Sequence, residues 1–264
     1  MNMMADTIKD ILKNSDNIVV LGGINVMRET GLNGVRAEHI AYEIEEEYGY
    51  SNDELISSAF FSRRSDIFYD YYKNIILNIE DPKPTLVHRA VCKLQEEGKI
   101  SSIITRTVYG LFQKAGCKDV LEMHGSAEEN RCPVCGKHFG MKYVKESVGI
   151  PVCDECRVPL RPGFSLLGEM VDNGKVTQSC NAVENAKVLL ILGASIRSPL
   201  CQHVIHYYEG NKMILINDHE EVGDDRADYR LYGNLSEMVS YVADYEPEKK
   251  SIEKADLVGK SSCK

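Results

Sequence analysis

Val120-Leu121-Glu122-Met123-His124-Gly125, Cys132-Pro133-Val134-Cys135-Gly136, Cys153-Asp154-Glu155-Cys156 and Arg161-Pro162-Gly163-Phe164-Ser165-Leu166-Leu167-Gly168-Glu169 follow one another between residues 120 and 169. One histidine, four thiols and a glycine-shaped loop are gathered there. Two thiolates two residues apart reach one metal, and Gly136 lets the backbone turn beneath the sulfurs at little steric cost. The 17 residues between Cys135 and Cys153 fit the gap of roughly 15 to 20 residues in a paired C-x2-C tetrathiolate site. Cys132, Cys135, Cys153 and Cys156 are therefore candidate zinc ligands. Four thiolates close the tetrahedron and leave no position for water, so the zinc is expected to hold structure and do no chemistry. A redox Cys-x-x-Cys is the competing reading and His138 the competing ligand. Two pairs at this spacing favour the metal, and His138 suits a surface position.

Working outward, 264 residues bury about three quarters of their unfolded surface, enough for a large domain with a small one attached. Hydrophobic residues make up 43% and charged residues 27%, as in ordinary globular proteins. No apolar run approaches the ~20 residues that span a bilayer, and the first residues lack the blocks of a secretion signal; the expectation is a cytoplasmic protein without a membrane partner. The net charge of -9 suits a nucleic-acid backbone poorly. Nine cysteines leave Cys92, Cys117, Cys180, Cys201 and Cys263 scattered once the metal has its four, which fits a reducing compartment better than a disulfide framework.

Apolar runs at Ile18-Val19-Val20-Leu21, Ile100 to Thr105, 119–123, Val188-Leu189-Leu190-Ile191-Leu192, Met213-Ile214-Leu215-Ile216 and 229–232 read as buried strands, mostly separated by helical periodicity. That alternation predicts an α/β protein, a Rossmann-like parallel sheet with helices on both faces, plus a small zinc-ribbon and helical lobe. Residues 37–80 are helical in pattern: Glu43-Ile44-Glu45-Glu46-Glu47 reads as a solvated face, and Phe68, Tyr72, Ile75, Ile76 and Ile79 as packing. A helix is expected over 86–97 with Leu86, Ala90, Val91 and Leu94 inward. In such a sheet ligands bind at the carboxyl ends of the strands. Gly22-Gly23-Ile24-Asn25 and Thr105-Arg106-Thr107 lie at such ends. The glycine pair is either a phosphate-facing turn or simply a tight one.

Taken together these motifs resemble the sirtuins, NAD-dependent protein lysine deacylases, over roughly residues 15–240. The family's G-A-G-I-S, followed by S-G-I-P-D-F-R, corresponds to Leu21-Gly22-Gly23-Ile24-Asn25 and Thr30-Gly31-Leu32-Asn33-Gly34-Val35-Arg36. Arg36 would order the cofactor loop, its plain alternative being a solvent-exposed arginine. T-Q-N-I-D-G-L corresponds to Thr105-Arg106-Thr107-Val108-Tyr109-Gly110-Leu111. Here Thr107 is shorter than the family's asparagine, Tyr109 sets a phenol in place of a carboxylate, and Arg106 adds a fixed positive charge. G-T-S-L corresponds to Gly193-Ala194-Ser195-Ile196, where the Gly193 N–H and the Ser195 hydroxyl suit a phosphate. Asn217 stands where an asparagine meets the adenosine ribose, or is a turn residue, and Gly233 and Asn234 would lie against the adenine. The Tyr-x-x-Arg that reads acidic acyl groups aligns at Tyr69 to Tyr72 without its arginine, which argues against a succinyl-type substrate.

The resemblance implies NAD and a structural zinc as cofactors and an acyl-lysine peptide or protein as partner. Its products would be nicotinamide, O-acyl-ADP-ribose and free lysine. His124 would be the general base on a ribose hydroxyl, and the peptide an added strand between the loop 163–168 and the stretch near Ser198. An ADP-ribosyltransferase or NAD hydrolase, and an inactive NAD or ADP-ribose binding module, remain alternatives. The expected division is a discontinuous NAD-binding domain (1–30, 81–126, 164–245), a small helical and zinc-binding domain (31–80, 127–163) and a mobile tail (246–264).

Overall fold

Every residue of the run Ile18–Gly22 is buried, and in a parallel sheet such a strand is covered on both faces. The computed structural model of the chain describes residues 3–28, 30, 38–78 and 82–247. It forms the strands β1 (Ile18–Gly22), β2 (Ile100–Thr105), β3 (Val120–Glu122), β4 (Asn130–Arg131), β5 (His138–Phe139), β6 (Val188–Leu192), β7 (Met213–Asn217) and β8 (Tyr229–Tyr232). Six of these make one sheet in the order β3-β2-β1-β6-β7-β8, with all neighbours parallel. Without the short pair β4-β5 this is the 3-2-1-4-5-6 order of dinucleotide-binding folds, whose direction of winding reverses beside β1.

Alternation along the strands divides the core. Ile18, Val20, Leu190, Leu192, Ile214 and Ile216 face the helices Met3–Lys13, Leu86–Glu96 and Leu235–Val242. Val19, Leu21, Leu189, Ile191 and Leu215 face Asn173–Glu184 and Pro199–Ile205. The helix Leu86–Glu96 turns Val87, Ala90, Val91 and Leu94 inward while Leu86 is only half-buried, a shift of one position from the sequence reading. Thr85 and His88 close a capping box at its start, which fixes that register.

A third cluster lies apart from the sheet. It joins Phe68, Tyr69, Tyr71, Tyr72 and Ile76 to Cys132, Phe139, Val144, Cys153, Leu160 and Phe164. The helix Ser65–Tyr71 widens into a π-type turn over Tyr72–Ile76. Its tyrosines hold the cysteine-bearing segment: Tyr69 donates to the Leu160 carbonyl and Tyr72 to Asn130 Oδ1 at 3.2 Å. Glu43, Glu45, Glu46 and Glu47 are exposed around a buried Ile44, the solvated face expected of that run. Ile79, Arg36 and the tail from residue 248 lie outside the described residues.

Candidate active site and metal centre

The two cysteine knuckles are built alike. Gly136 N–H donates to the Cys132 carbonyl and Arg157 N–H to the Cys153 carbonyl, each at 3.0 Å. Amide groups of Val134 and Cys156 point at the Cys132 and Cys153 sulfurs at 3.4 Å. Gly136 takes φ +74°, and Arg157 takes φ +59° at the matching position, so the second knuckle carries backbone strain that glycine relieves in the first. The four Sγ atoms all lie within 4.8 Å of one another, and Cys135 and Cys153 are 3.8 Å apart. A tetrahedron with metal–sulfur bonds of about 2.3 Å has edges of about 3.8 Å. The thiols are therefore positioned to hold a structural zinc. His138 stands outside the set, exposed and paired with Glu129 at 2.7 Å.

From this module the chain returns over the sheet edge. Arg131 and Arg161 pair their backbones, Ser126 N–H reaches the Gly163 carbonyl at 3.0 Å and Ser165 N–H the His124 carbonyl at 2.7 Å. Further along the segment Leu167 N–H reaches the Ile56 carbonyl and Ser58 N–H the Leu167 carbonyl, both at 3.0 Å. Gly125 and Gly163 admit this approach, since a Cβ on Gly125 would lie 2.2 Å from the Gly163 oxygen. The Glu169 carboxylate closes the loop by accepting from Arg161 and from Leu166 N–H at 2.8 Å. His124 thus stands just past the end of β3 with its backbone fixed on both sides. Burial, and then the charge of Arg106, hold its imidazole below the ordinary 6.5, so it is neutral at pH 7.

The strand-end glycines act differently from the sequence reading. Gly23 N–H donates to the Leu192 carbonyl at 2.8 Å, Gly193 N–H to that of Ile216 at 2.9 Å, and Gly233 N–H to that of Asn217 at 3.0 Å. These amides extend the sheet, so the expected Gly193 N–H to phosphate contact is corrected. What Gly23 supplies is clearance: a Cβ there would lie 2.2 Å from the Gly193 oxygen and 2.4 Å from Ala194 Cα. The turns after β1 and β6 thereby press together where the winding reverses. Asn25, buried at the head of the next helical turn, donates from Nδ2 to Asn217 Oδ1 at 3.1 Å and Asp218 Oδ1 at 3.0 Å. Asn217 Nδ2 is buried without a partner among the described residues. Ser195 is half-buried in the β6 turn. Asn234 uses its side chain to cap the helix Leu235–Val242, accepting from Glu237 N–H at 2.9 Å.

At the end of β2, Thr105 and Thr107 are buried and share a hydroxyl–hydroxyl bond of 2.9 Å, and Thr107 N–H donates to Thr105 Oγ1 at 3.1 Å. Arg106 N–H is anchored on the Gly22 carbonyl at 3.2 Å. Its Nε is shut off from solvent with no hydrogen-bond partner, and no carboxylate pairs with the guanidinium among the described residues. Tyr109 turns away from the strand ends: its hydroxyl donates to the Ile76 carbonyl at 3.2 Å, and burial pushes its pKa up to about 12. Sequence reasoning missed Glu122, whose carboxyl is raised to about 7 by burial and keeps Oε1 buried without a partner. The sequence reading placed the peptide near Ser198 but missed its contact: its buried hydroxyl lies beside the Cys201 thiol and helps draw it down against burial. Nothing in either residue's local sequence marks it.

A parallel sheet in this order, with cleared glycine turns and, at its carboxyl edge, the Asn217 amide nitrogen and Arg106 Nε unpartnered among the described residues, defines a dinucleotide-binding α/β protein bearing a tetrathiolate module. The residues present fit an NAD-like ligand in these donors and a zinc in the four sulfurs. A model of the Sir2 family matches residues 22–198. A protein of Clostridium tetani named NAD-dependent protein deacetylase is 32% identical over 238 residues, covering 90% of this chain and 96% of that one. A second of that name, from Thermotoga maritima, is 29% identical over 88% of this chain and 94% of its own. Among solved structures, a Sir2 complex with a p53 peptide and NAD+ superposes with a TM-score of 0.76 at 26% identity, covering 97% of this chain and 100% of that one. A Sir2 enzyme bound to a propionylated peptide gives 0.77 at 26%, over 92% and 98%. The chain belongs to the Sir2 family, the sirtuins. No helix among the described residues is long and apolar enough to cross a membrane.

Proposed function

We propose that the protein is an NAD-dependent protein lysine deacylase with an atypical nicotinamide pocket. The observation that carries this reading is His124: a neutral imidazole held at the carboxyl edge of the sheet, beside the end of β2. NAD, when bound, supplies the electrophilic ribose carbon that accepts the acyl oxygen. His124 would take a proton from the adjacent ribose hydroxyl, a step that needs an unprotonated base at working pH. Asn25 and Asn217, already bonded to each other, would orient the sugar and phosphate portion, with Gly22, Gly23, Gly193 and Ser195 shaping the turns around it. Thr105 and Thr107 would line the nicotinamide end. There a hydroxyl replaces an amide, and Tyr109, committed to Ile76, contributes no carboxylate. Gly233 and Asn234 would flank the far end of the dinucleotide.

Residues 163–167 already pair on one edge with His124–Ser126 and Ile56–Ser58, so an acyl-lysine peptide would add on the opposite edge, facing the stretch near Ser198. In this reading the sheet and its two flanking clusters form the NAD-binding unit (1–30, 81–126, 164–245). The tyrosine-rich cluster and the thiols form the small one (31–80, 127–163).

Nicotinamide release by the zinc-loaded protein, followed with and without acyl-lysine peptides and with O-acyl-ADP-ribose tracked by mass, tests the proposal. Peptide-dependent release with that product is expected. His124→Ala should remove it while leaving NAD binding within a few tenths of a kcal/mol, on the order of an ordinary surface substitution. A fully active His124→Ala protein would overturn the mechanism. Release without peptide would instead favour NAD hydrolysis or ADP-ribosyl transfer, and binding with no release an inactive module.

A further inference from the structure

The segment from Arg161 to Glu169 is the edge on which a deacylase would seat its peptide, and its backbone bonds are spent unevenly. Gly163 and Ser165 pair with Ser126 and His124, and Leu167 pairs with Ile56 and Ser58. Alternation turns the backbone groups of Phe164 and Leu166 to the opposite edge. There the two residues differ. Phe164 N–H and C=O bond to nothing among the described residues, whereas Leu166 is closed by a single partner: its N–H donates to Glu169 Oε2 at 2.8 Å, and its carbonyl accepts from Glu169 N–H at 3.0 Å. Glu169 thus fills, with side chain and main chain together, the place next to Phe164 where a second strand would bond. Within this turn Gly168 sits at φ +89°, and its backbone groups are again free among the described residues.

Arg161 holds Glu169 in that place. Its guanidinium donates to Glu169 Oε1 and lies over the Phe61 ring, 5.4 Å from the centroid. Phe61 belongs to the helix Ser58–Arg63, whose first residue bonds Leu167, and it packs against Phe68 and Tyr69 at 4.9 and 5.9 Å between ring centres. The backbone of Arg161 is itself bonded both ways to Arg131, at 2.8 and 3.0 Å. Both charged side chains are less than a third exposed, so salt screens their pairing less than on an open surface. A carboxylate bonded on two sides in this way gives the turn a fixed shape.

We propose that Arg161 and Glu169 are positioning residues that set the register of the acyl-lysine peptide. By filling the Leu166 position they leave Phe164 and Gly168 as the pairing positions, so the added strand bonds on either side of it and places its acyl-lysine beside His124, whose neighbour Gly125 faces Phe164. This rests on the deacylase reading. His124 itself is held by Ser165 N–H, and the adjoining Ser126 by Gly163, so the chemical step does not depend on the ion pair.

The test measures turnover of an acetyl-lysine peptide and of a blocked acetyl-lysine without flanking residues, with NAD and the zinc-loaded protein. Glu169→Ala should raise KM for the peptide by about tenfold, as the loss of charge-assisted bonds implies, with kcat and KM for NAD within about twofold of the parent. Glu169→Gln, which keeps an oxygen for Leu166 N–H, and Arg161→Lys, which keeps the charge without the planar fork, should each raise it less. The blocked acetyl-lysine, too short to pair along the edge, should lose little in any variant. An unchanged peptide KM in Glu169→Ala would overturn the proposal and leave the deacylase reading intact. So would a fall in kcat that is equal for both substrates and accompanied by a lower melting temperature, which would make the ion pair a support of the fold alone. Turnover of neither substrate by the parent protein would remove the deacylase reading and this proposal with it.

Discussion

His124, His88 and Glu122 each carry a shifted pKa with its own consequence. For His124 burial and Arg106 act together to disfavour the imidazolium, so a base-dependent rate should fall only as the pH drops through a value below 6.5. The acid limb of kcat/KM, measured with whichever acyl peptide is turned over, checks this. Arg106→Gln should move the limb upward toward the ordinary imidazole value, and a limb lying above 6.5 in the parent protein would contradict the arrangement. His88 is fully buried against the Phe112 ring, and burial depresses it from 6.5 to about 3. Between those values the unfolded chain binds a proton that the folded chain refuses, so stability falls as the pH drops through that window. Glu122 works oppositely: burial first, partly offset by Lys175, raises it from 4.5 to about 7. There the folded chain keeps a proton that the unfolded chain releases, and stability falls as the pH rises. From 4.5 to 6.5 the two slopes oppose each other, and below 4.5 His88 acts without that offset. Its full effect is on the order of 3 to 5 kcal/mol, and that of the partly exposed Glu122 about 1 to 2 kcal/mol after screening. Urea titrations across this range should show a shallow plateau and then a drop in acid that His88→Gln flattens. An unchanged acid slope in that variant would remove His88 from the account.

Among the elements, the turns after β1 and β6 press together as closely as the Gly125–Gly163 approach does, with 2.2 Å from an added Cβ to a carbonyl oxygen in each. Gly23→Ala sets a methyl against the Gly193 oxygen and Ala194 Cα, both backbone, at 2.2 and 2.4 Å. Neither can rotate away, so the strands must part. A loss of about 2 to 3 kcal/mol is expected, with NAD binding lost as well. Gly49→Ala, where only φ +73° resists and nothing lies within 4 Å, should lose about 1 kcal/mol. Equal melting temperatures for the two variants would refute the packing argument. The strands themselves were legible because continuous apolar runs have few other uses in a parallel sheet, and the knuckles because thiol spacing is a geometric requirement. The glycines were legible as turns but not as clearance, since the residue that forbids a Cβ on Gly23 lies 170 positions away at Gly193. Asn234 looked like a ligand contact and caps a helix, because asparagine serves both uses and only the Glu237 N–H distance separates them. Arg106 announced its charge but not that its Nε is buried without a hydrogen-bond partner among the described residues, which depends on what the fold packs around it.

Across the whole molecule, the metal module is tied to the site through backbone rather than through side chains that touch ligands. Its sulfurs fix Cys132 and Cys153 in the tyrosine cluster, Asn130 receives Tyr72 and Gly163 N–H, and Gly163 and Ser165 hold the stretch His124–Ser126. Neither core cluster of the sheet contains a residue of this module. Metal binding contributes on the order of 10 kcal/mol to such a unit, more than a two-stranded ribbon of β4 and β5 supplies for itself. Stripping the metal should therefore melt the module while the sheet stays folded, and activity should vanish with the first event because the His124 loop loses its clamp. A chelator titration followed by circular dichroism, amide exchange and turnover should resolve an early transition confined to the segments around 127–169 and a later one in the strands. Cys135→Ser, which opens the tetrahedron without a chelator, should reproduce the early transition. If zinc is shown to have left and both the exchange pattern and the melting curve are unchanged, the thiols do not support the site in this way. If instead the sheet unfolds in the same transition, the module is part of one cooperative unit, and the tyrosine cluster couples it to the strands more strongly than the separate cores imply.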